Sequence, residues 1–376
     1  MNLITRRIHH LISPLSVKHI CQVNTRIYGL KHMKQNCRHY CFGMEEYTKL
    51  KSKEFHVYPG FGKFRSNGNV DCIIKPTNPQ EFPDADRAFV FIYGKDSTQC
   101  KNVTIELTGE LKDVLSLTAF PESTQMYCEI QIPIKYNLDI QLLDAASVQI
   151  FGMEADEVNI TTDKGDIKTA GLKSHNIHIK TQTGNISAKR TLQGNIFITA
   201  KKTSLTAKRL QGMAMTIDAE ELDTSVESSY ITQGEIKANS GNIRLKNLHG
   251  CTDLVLRKGL ISISGLHGQI AGFLGRGNMD VQVTEVTGNS TLHVKEGVME
   301  IAVLDRPRHD LEVEAPSVEI SSEVESMGCI SKGTPQRFTL TENEDPGANK
   351  LIATVIKGSA KLKCQDWFAT LGIRSR

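Results

Sequence analysis

His249 and His267 are the residues most suggestive of chemistry, because each sits in a Leu-His-Gly triplet and Cys251 follows the first by two positions. Two imidazoles and a thiol are ligands that zinc and its neighbours accept. Without a carboxylate or a spaced cysteine pair the set is too small, so a polar ladder in solvent is the plainer reading, and no metal is implied. His175 and His178 fare no better. The second candidate is a pair of carboxylates, Asp280 and Glu300. Two acids on one outward face are what glycoside hydrolysis needs, one to protonate the leaving oxygen and one to attack or to activate water. No Arg or Lys stands between them as a substrate clamp, so an ordinary solvated acidic face is the competing reading. Walker loops, nucleophile elbows and dinucleotide fingerprints are missing, and the glycines of 272–277 follow no strand-to-helix pattern. No cofactor is implied, and catalytic residues are not assigned.

Charge says more. Residues 164–212 hold ten basic side chains against one acid, Asp166, whereas 279–325 hold eleven acids against three bases. Within the first stretch Lys168, Lys189, Arg190, Lys201, Lys202, Lys208 and Arg209 form a candidate interaction patch. Lys189-Arg190 and Lys208-Arg209 are nineteen residues apart. If that interval is one turn of a repeating structure, the two pairs lie side by side and concentrate positive potential on one edge. Such an edge suits an acidic protein or anionic lipid headgroups. Aromatic residues are sparse there, so sequence-specific nucleic-acid binding is not expected. Two solvated faces that merely keep the protein soluble, and head-to-tail self-association through opposite charge, are the other readings.

The elements that must position these residues form a repeat. GDIKTAGL begins at Gly165, GNISAKRTLQG at Gly184, TSLTAKRLQG at Thr203, LDTSVESSYI at Leu222, GNIRLKNLHG at Gly241, GLISISGLHG at Gly259, GNMDVQVTEVTG at Gly277 and GVMEIAV at Gly297. The starts are 19, 19, 19, 19, 18, 18 and 20 residues apart. A fixed period of this size marks units that bury their apolar faces only by stacking. The second position after each start reads Ile167, Ile186, Leu205, Thr224, Ile243, Ile261, Met279, Met299, and the fourth reads Thr169, Ala188, Ala207, Val226, Leu245, Ile263, Val281, Ile301. Polar residues such as Lys168, Ser187 and Glu300 stand between them, which is the period of two of a half-buried strand. A second strand per unit shows as Ile177/Ile179, Ile196/Ile198, Met215/Ile217, Leu254/Leu256 and Leu292/Val294. The recurrent Gly-Asn and Gly-Asp pairs, including Gly165, Gly184, Gly241 and Gly277, are expected to supply positive φ at tight turns. The His249 column is expected to continue through Gln193, Gln211 and Tyr230 on one side and to Thr287 on the other.

Counting onward reaches PSVEIS at Pro316 as the unit after Gly297, and GSAKLK at Gly358 as a last unit beyond an excursion over 322–350 that reads as the most mobile segment. The fold expected is all-β: a β-solenoid of roughly eleven rungs of 18–20 residues, capped at both ends. Residues 103–365 hold the repeats. Residues 45–102 read as an irregular leading and cap region with strand candidates at Val70–Lys75 and Ala88–Tyr93, and residues 366–376, with the single Trp367, as a closing tail.

The chain carries 45 Lys+Arg and 42 Asp+Glu, but residues 1–44 hold seven of the bases and no acid, leaving 38 against 42 in the remainder. A basic, acid-free leader with scattered apolar residues has the composition of a mitochondrial transit peptide, with cleavage near Tyr40; a cytosolic basic tail is the alternative. No run of about eighteen apolar residues occurs, so a membrane-spanning helix is not expected. Cys72, Cys100, Cys128, Cys251, Cys329 and Cys364 follow the leader without any CxxC pair, and structural free thiols are expected.

These GNI- and GDI-type turns followed by alternating strands resemble the adhesin-type β-solenoid domain family, a domain of unknown function widespread in bacteria. The likeness spans about 100–365, and with the basic leader it is similar to a eukaryotic mitochondrial member of that family. The resemblance implies adhesion by analogy and brings no catalytic residues. The expectation is therefore a non-enzymatic scaffold or interaction module, in the mitochondrial matrix, whose alternative is a solenoid enzyme acting on a glycan or ester.

Overall fold

The computed structural model describes residues 47–95, 100, 102–121, 126–304, 307–331, 333–341 and 349–365. The chain divides into units Met1–Tyr47 and Thr48–Arg376, and the fold is that of the second. The leader over 1–44 and the tail over 366–376, with Trp367, lie outside the described residues. Among the described residues no helix is long and apolar enough to cross a membrane.

The centre of the unit is β10 (Glu154–Thr162), β11 (Ile167–Ala170), β12 (Leu172–Val226), β13 (Ser229–Val286) and β14 (Ser290–Val303). With 55 and 58 residues, β12 and β13 are extended chain that passes through about three coils each. Coils pair in parallel: Ile167 with Ile186, Ile217 with Ile236, Thr224 with Ile243, Met279 with Met299. Nineteen or twenty residues therefore separate neighbours in the sheet. The inward columns expected from the alternation are sealed, from Ile186, Leu205 and Ile243 to Ile261, Met279 and Met299, and so is the second strand at Ile177, Ile196 and Leu254. Burial of these stacked columns is the main driving force for the fold.

Glycine at the coil starts has a steric cause. At Gly277 φ is +137°, and a Cβ would stand 1.8 Å from the carbonyl oxygen of Gly259 one coil below. Gly165 and Gly184 correct the turn argument, because neither has positive φ. What excludes a side chain at Gly165 is the Ala146 carbonyl, 1.7 Å from where its Cβ would be.

Both ends depart from chain order. At the leading end lie β1 (Thr48–His56), β2 (Lys63–Gly68), β3 (Asp71–Pro76), β4 (Arg87–Gly94), β5 (Val103–Thr108), β6 (Val114–Ala119), β7 (Met126–Ile132), β8 (Asn137–Leu142) and β9 (Val148–Phe151). β2 pairs in parallel with both β6 and β8, and β3 with both β7 and β9. The stretch expected to be irregular thus contributes a coil that is slotted between two later ones. Antiparallel strands flank it: β4 on β7, β1 on β4, and β5 on β6. The alternation that begins at Val103 is consequently a hairpin strand and not the first parallel coil.

The far end repeats the device with β15 (Asp310–Ala315), β16 (Ser317–Ile320), α1 (Ser322–Glu325), β17 (Cys329–Ser331), β18 (Gln336–Leu340) and β19 (Lys350–Cys364). β19 pairs in parallel with β14 on one side and with β15 and β16 on the other. The expected order, with the Pro316 unit resting on the Gly297 unit, is corrected: the Gly358 unit lies between them. The charges agree with this order. β19 carries Lys350, Lys357, Lys361 and Lys363, and its neighbours carry Glu296 and Glu300 on one side and Glu312 and Glu319 on the other. Lys361 reaches Glu319 at 2.7 Å, Lys350 reaches Glu312 at 2.6 Å, and Lys363 ion-pairs with Glu300. Direct stacking of β16 on β14 would have set Glu319 against Glu300, a like-charge pair. The expected mobile excursion also rejoins the sheet, since β18 pairs antiparallel with β15 and buries Phe338 and Leu340, and β17 pairs with β18.

Candidate functional site

The bends of the central coils show as two consecutive outward residues that break the inside-outside alternation, and two of these corners carry the candidate residues. After buried Ala188 and Ala207 come Lys189-Arg190 and Lys208-Arg209, all exposed; after buried Ala200 and Ala219 come Lys201-Lys202 and Glu220-Glu221, also exposed. The first set forms one corner of the coil and the second set another, separated by the strand through Thr203, Leu205 and Ala207. Six residues of extended chain span about 20 Å.

This splits the expected patch. Lys189, Arg190, Lys208 and Arg209 share the first corner. Lys201 and Lys202 stand at the second, where Lys202 meets Glu221 at 2.7 Å. That hydrogen bond, with the charges of Glu221 and Asp223, pushes the Lys202 ammonium pKa up. Lys168 sits in β11, within a strand, 3.8 Å from Asp166. On the next coil the first corner is closed by Glu227, one residue past Val226, the counterpart of Lys208 in the nineteen-residue register.

Beside the first corner runs a ladder of rings. The Arg209 guanidinium carbon lies 5.8 Å from the centre of the Tyr230 ring. Tyr230 stacks on His249 at 4.6 Å and 17°, His249 leans on His267 at 5.0 Å and 45°, and His267 Nδ1 is 3.2 Å from Glu285. The column expected to reach Thr287 ends on Glu285, eighteen residues after His267, the same interval that separates the two histidines. Burial, then the neighbouring His267, holds His249 below the usual histidine range. Cys251 touches Gln269 and not the imidazoles, at 3.5 Å. A carboxylate therefore joins the two rings, yet among the described residues no group of three such side chains is arranged to hold a metal. His175 pairs with Asp156 at 3.2 Å, both exposed, and His178 stacks on Phe197 at 4.7 Å.

Asp280 and Glu300 are neighbours in register. A cation does stand beside them, which corrects the reading of an unclamped pair: Lys363 of the intercalated β19 ion-pairs with Glu300. Burial, followed by the charge of Glu300, raises the Asp280 pKa, and Asp280 Oδ1 is shut off from solvent without a hydrogen-bond partner among the described residues. Neither of the shallow grooves of about 480 and 510 Å³ on the described surface is lined by these acids.

The family model described as Toastrack DUF4097 matches residues 95–358. The chain belongs to the Toastrack DUF4097 family. Among solved structures this Toastrack chain is similar to a putative cell adhesion protein from Clostridium sporogenes, at 9% identity over 84% of this chain and 99% of that one, with a TM-score of 0.18. It is similar also to a putative adhesin from Bacteroides fragilis, at 12% identity over 85% and 98% with a TM-score of 0.30. A putative adhesin from Parabacteroides merdae gives 12% identity over 86% and 98%, with a TM-score of 0.26.

Proposed function

We propose that this Toastrack chain is a non-enzymatic β-solenoid interaction module that binds an acidic protein segment through the corner formed by Lys189, Arg190, Lys208 and Arg209. The observation that carries this is the superposition of two dibasic pairs on adjacent coils, each projecting outward. An acidic protein is favoured over anionic lipid because the basic surface is a narrow ridge. Glu227 bounds it along the stack, and Lys168 and Lys202, which would have widened it, stand against Asp166 and Glu221. The compartment proposed is the mitochondrial matrix, on the composition of residues 1–44. The architecture proposed is roughly eleven repeat coils, with antiparallel strands closing both ends against further strand addition.

The second reading, a solenoid enzyme acting on a glycan or ester, draws on the unequal environments of Asp280 and Glu300, an arrangement that can divide acid from base. The buried Oδ1 of Asp280 and the ion pair of Glu300 with Lys363 speak against it. Proximity labelling in cells, comparing the native chain with a charge-reversed corner (K189E, R190E, K208E, R209E), tests the proposal. A neighbour set enriched in acidic proteins and lost on reversal is expected; an unchanged set would overturn it. Deleting residues 1–44 should abolish mitochondrial localisation, and an unchanged distribution would remove that part.

A further inference from the structure

Two side chains beside the basic corner are not explained by stacking or by solubility. Met213 is 75% exposed and Tyr230 is 43% exposed. Their columns do not require them: Gln211 occupies the slot of Tyr230 one coil earlier, and the coil after Met213 carries Thr232 at the corresponding place. A thioether and a phenol ring left in water give up apolar burial that polar residues at the same slots would not forgo. Register pairs Gln211 with Tyr230, so Met213 lies two residues along and one coil away from Tyr230, with backbones about 8 Å apart. Arg209 covers one side of Tyr230 and His249 the other. Tyr, Met and Arg are the types enriched in the centres of protein interfaces, where a few anchors carry most of the affinity.

Resting on the reading of the basic corner as a docking site for an acidic protein, we infer that Tyr230 and Met213 form its anchor, which receives one aromatic or long aliphatic side chain of an extended acidic segment. Carboxylates flanking that side chain meet Lys208 and Arg209. With the Arg209 guanidinium on one face of Tyr230 and the His249 ring on the other, the edge and hydroxyl are left for a partner, which suits a side chain and not a stacked nucleobase. Glu227 stands at this corner one coil on from Lys208 and bounds the site there, while Glu285 pairs with His267 three coils beyond Tyr230.

The test is fluorescence anisotropy on the full chain with two labelled peptides of equal acid count, one of Glu, Asp and Ser alone and one with a single Phe among the acids, and with phosphatidylserine vesicles as a third probe. The Phe peptide is expected to bind at least tenfold more tightly. Tyr230→Ala and Met213→Ala should each reduce that advantage while leaving the affinity for the Phe-free peptide unchanged, and Tyr230→Phe should preserve most of it. Equal binding of the two peptides, or an advantage undiminished in both alanine variants, would overturn the anchor and leave the basic corner standing, whereas preference for vesicles over both peptides would overturn the acidic-protein reading as well. Failure of both peptides to bind would overturn the basic-corner reading and the anchor with it.

Discussion

Lys361 of β19 lies 2.7 Å from Glu319 of β16, and the same lysine is in register with Glu300 of β14. One cation thus separates two carboxylates that chain order would have placed in adjacent coils. The acidic stretch over 279–325 is interleaved with the basic β19, whose lysines offset part of its negative charge.

Reversing that cation tests the coil order. Lys361→Glu should destabilise more than loss of one exposed pair would, because it adds repulsion from both sides. The double variant Lys361→Glu with Glu319→Lys should recover part of the loss. Urea unfolding of the wild type, both single variants and the double variant gives the coupling; zero coupling would contradict the contact.

Glycine substitutions separate close approach from backbone strain. Gly358 has φ +135° and a Cβ there would stand 1.8 Å from the Gly297 carbonyl oxygen, whereas Gly171 has φ +79° with nothing within 4 Å. Gly171→Ala should cost about 1–2 kcal/mol, the price of left-handed backbone. Gly358→Ala should cost more than about 4 kcal/mol, since the coils must part. Similar melting temperatures for the two variants would show that the coils are not so closely stacked.

Acid should loosen the far end. His309, between β14 and β15, is 1% exposed, and neither ring nitrogen has a hydrogen-bond partner among the described residues. Burial holds its pKa below the ordinary histidine value, as it does for His249. The unfolded chain therefore binds more protons, so stability is fully present above about pH 6.5 and is lost as pH falls through the folded-state values. Melting temperature measured between pH 7 and 5 should decline, and His309→Leu should flatten the decline; an identical slope in the variant would exclude His309 as the cause.

Asp280 has the opposite sign. Its raised pKa means that the folded state favours the protonated form, so this group contributes stability at low pH that is lost as pH rises through the folded-state value. Burial and the charge of Glu300 both disfavour its ionised form. Asp280→Asn should therefore leave stability unchanged or raise it by up to about 1 kcal/mol, read from urea unfolding at pH 7. A large loss would point to an ionic role for Asp280, and loss of a glycan- or ester-cleaving activity in the same variant would favour the enzymatic reading.

How much was legible in the sequence depends on how far apart paired residues lie. Ile167 and Ile186 announce their contact because the same grammar recurs every nineteen residues. Cys72 pairs with Val148 across 76 residues, and Gly358 with Gly297 across 61, intervals several coils long that a count from one coil to the next does not reach. A cue existed, since Gly68-Asn69-Val70 repeats the coil-start grammar and β19 alone offers lysines to an acidic stretch. The candidate patch was misgrouped for a local reason. Lys202 and Lys208 are near in sequence, but buried Thr203, Leu205 and Ala207 between them define a strand whose two ends point to different corners. Glu285 was missed because the coil after Gly277 is longer, which moved the count to Thr287.

The central claim is that the first corner grips acidic protein, and the most direct measurement is the affinity of the full chain for a labelled Glu- and Asp-rich peptide across a range of salt. The native chain should bind with an affinity that falls steadily as salt rises, and Arg190→Glu, Lys208→Glu and Arg209→Glu together should weaken binding at least tenfold and flatten the salt dependence, with unchanged melting temperature. Equal affinity and equal salt dependence in the folded triple variant would contradict the claim.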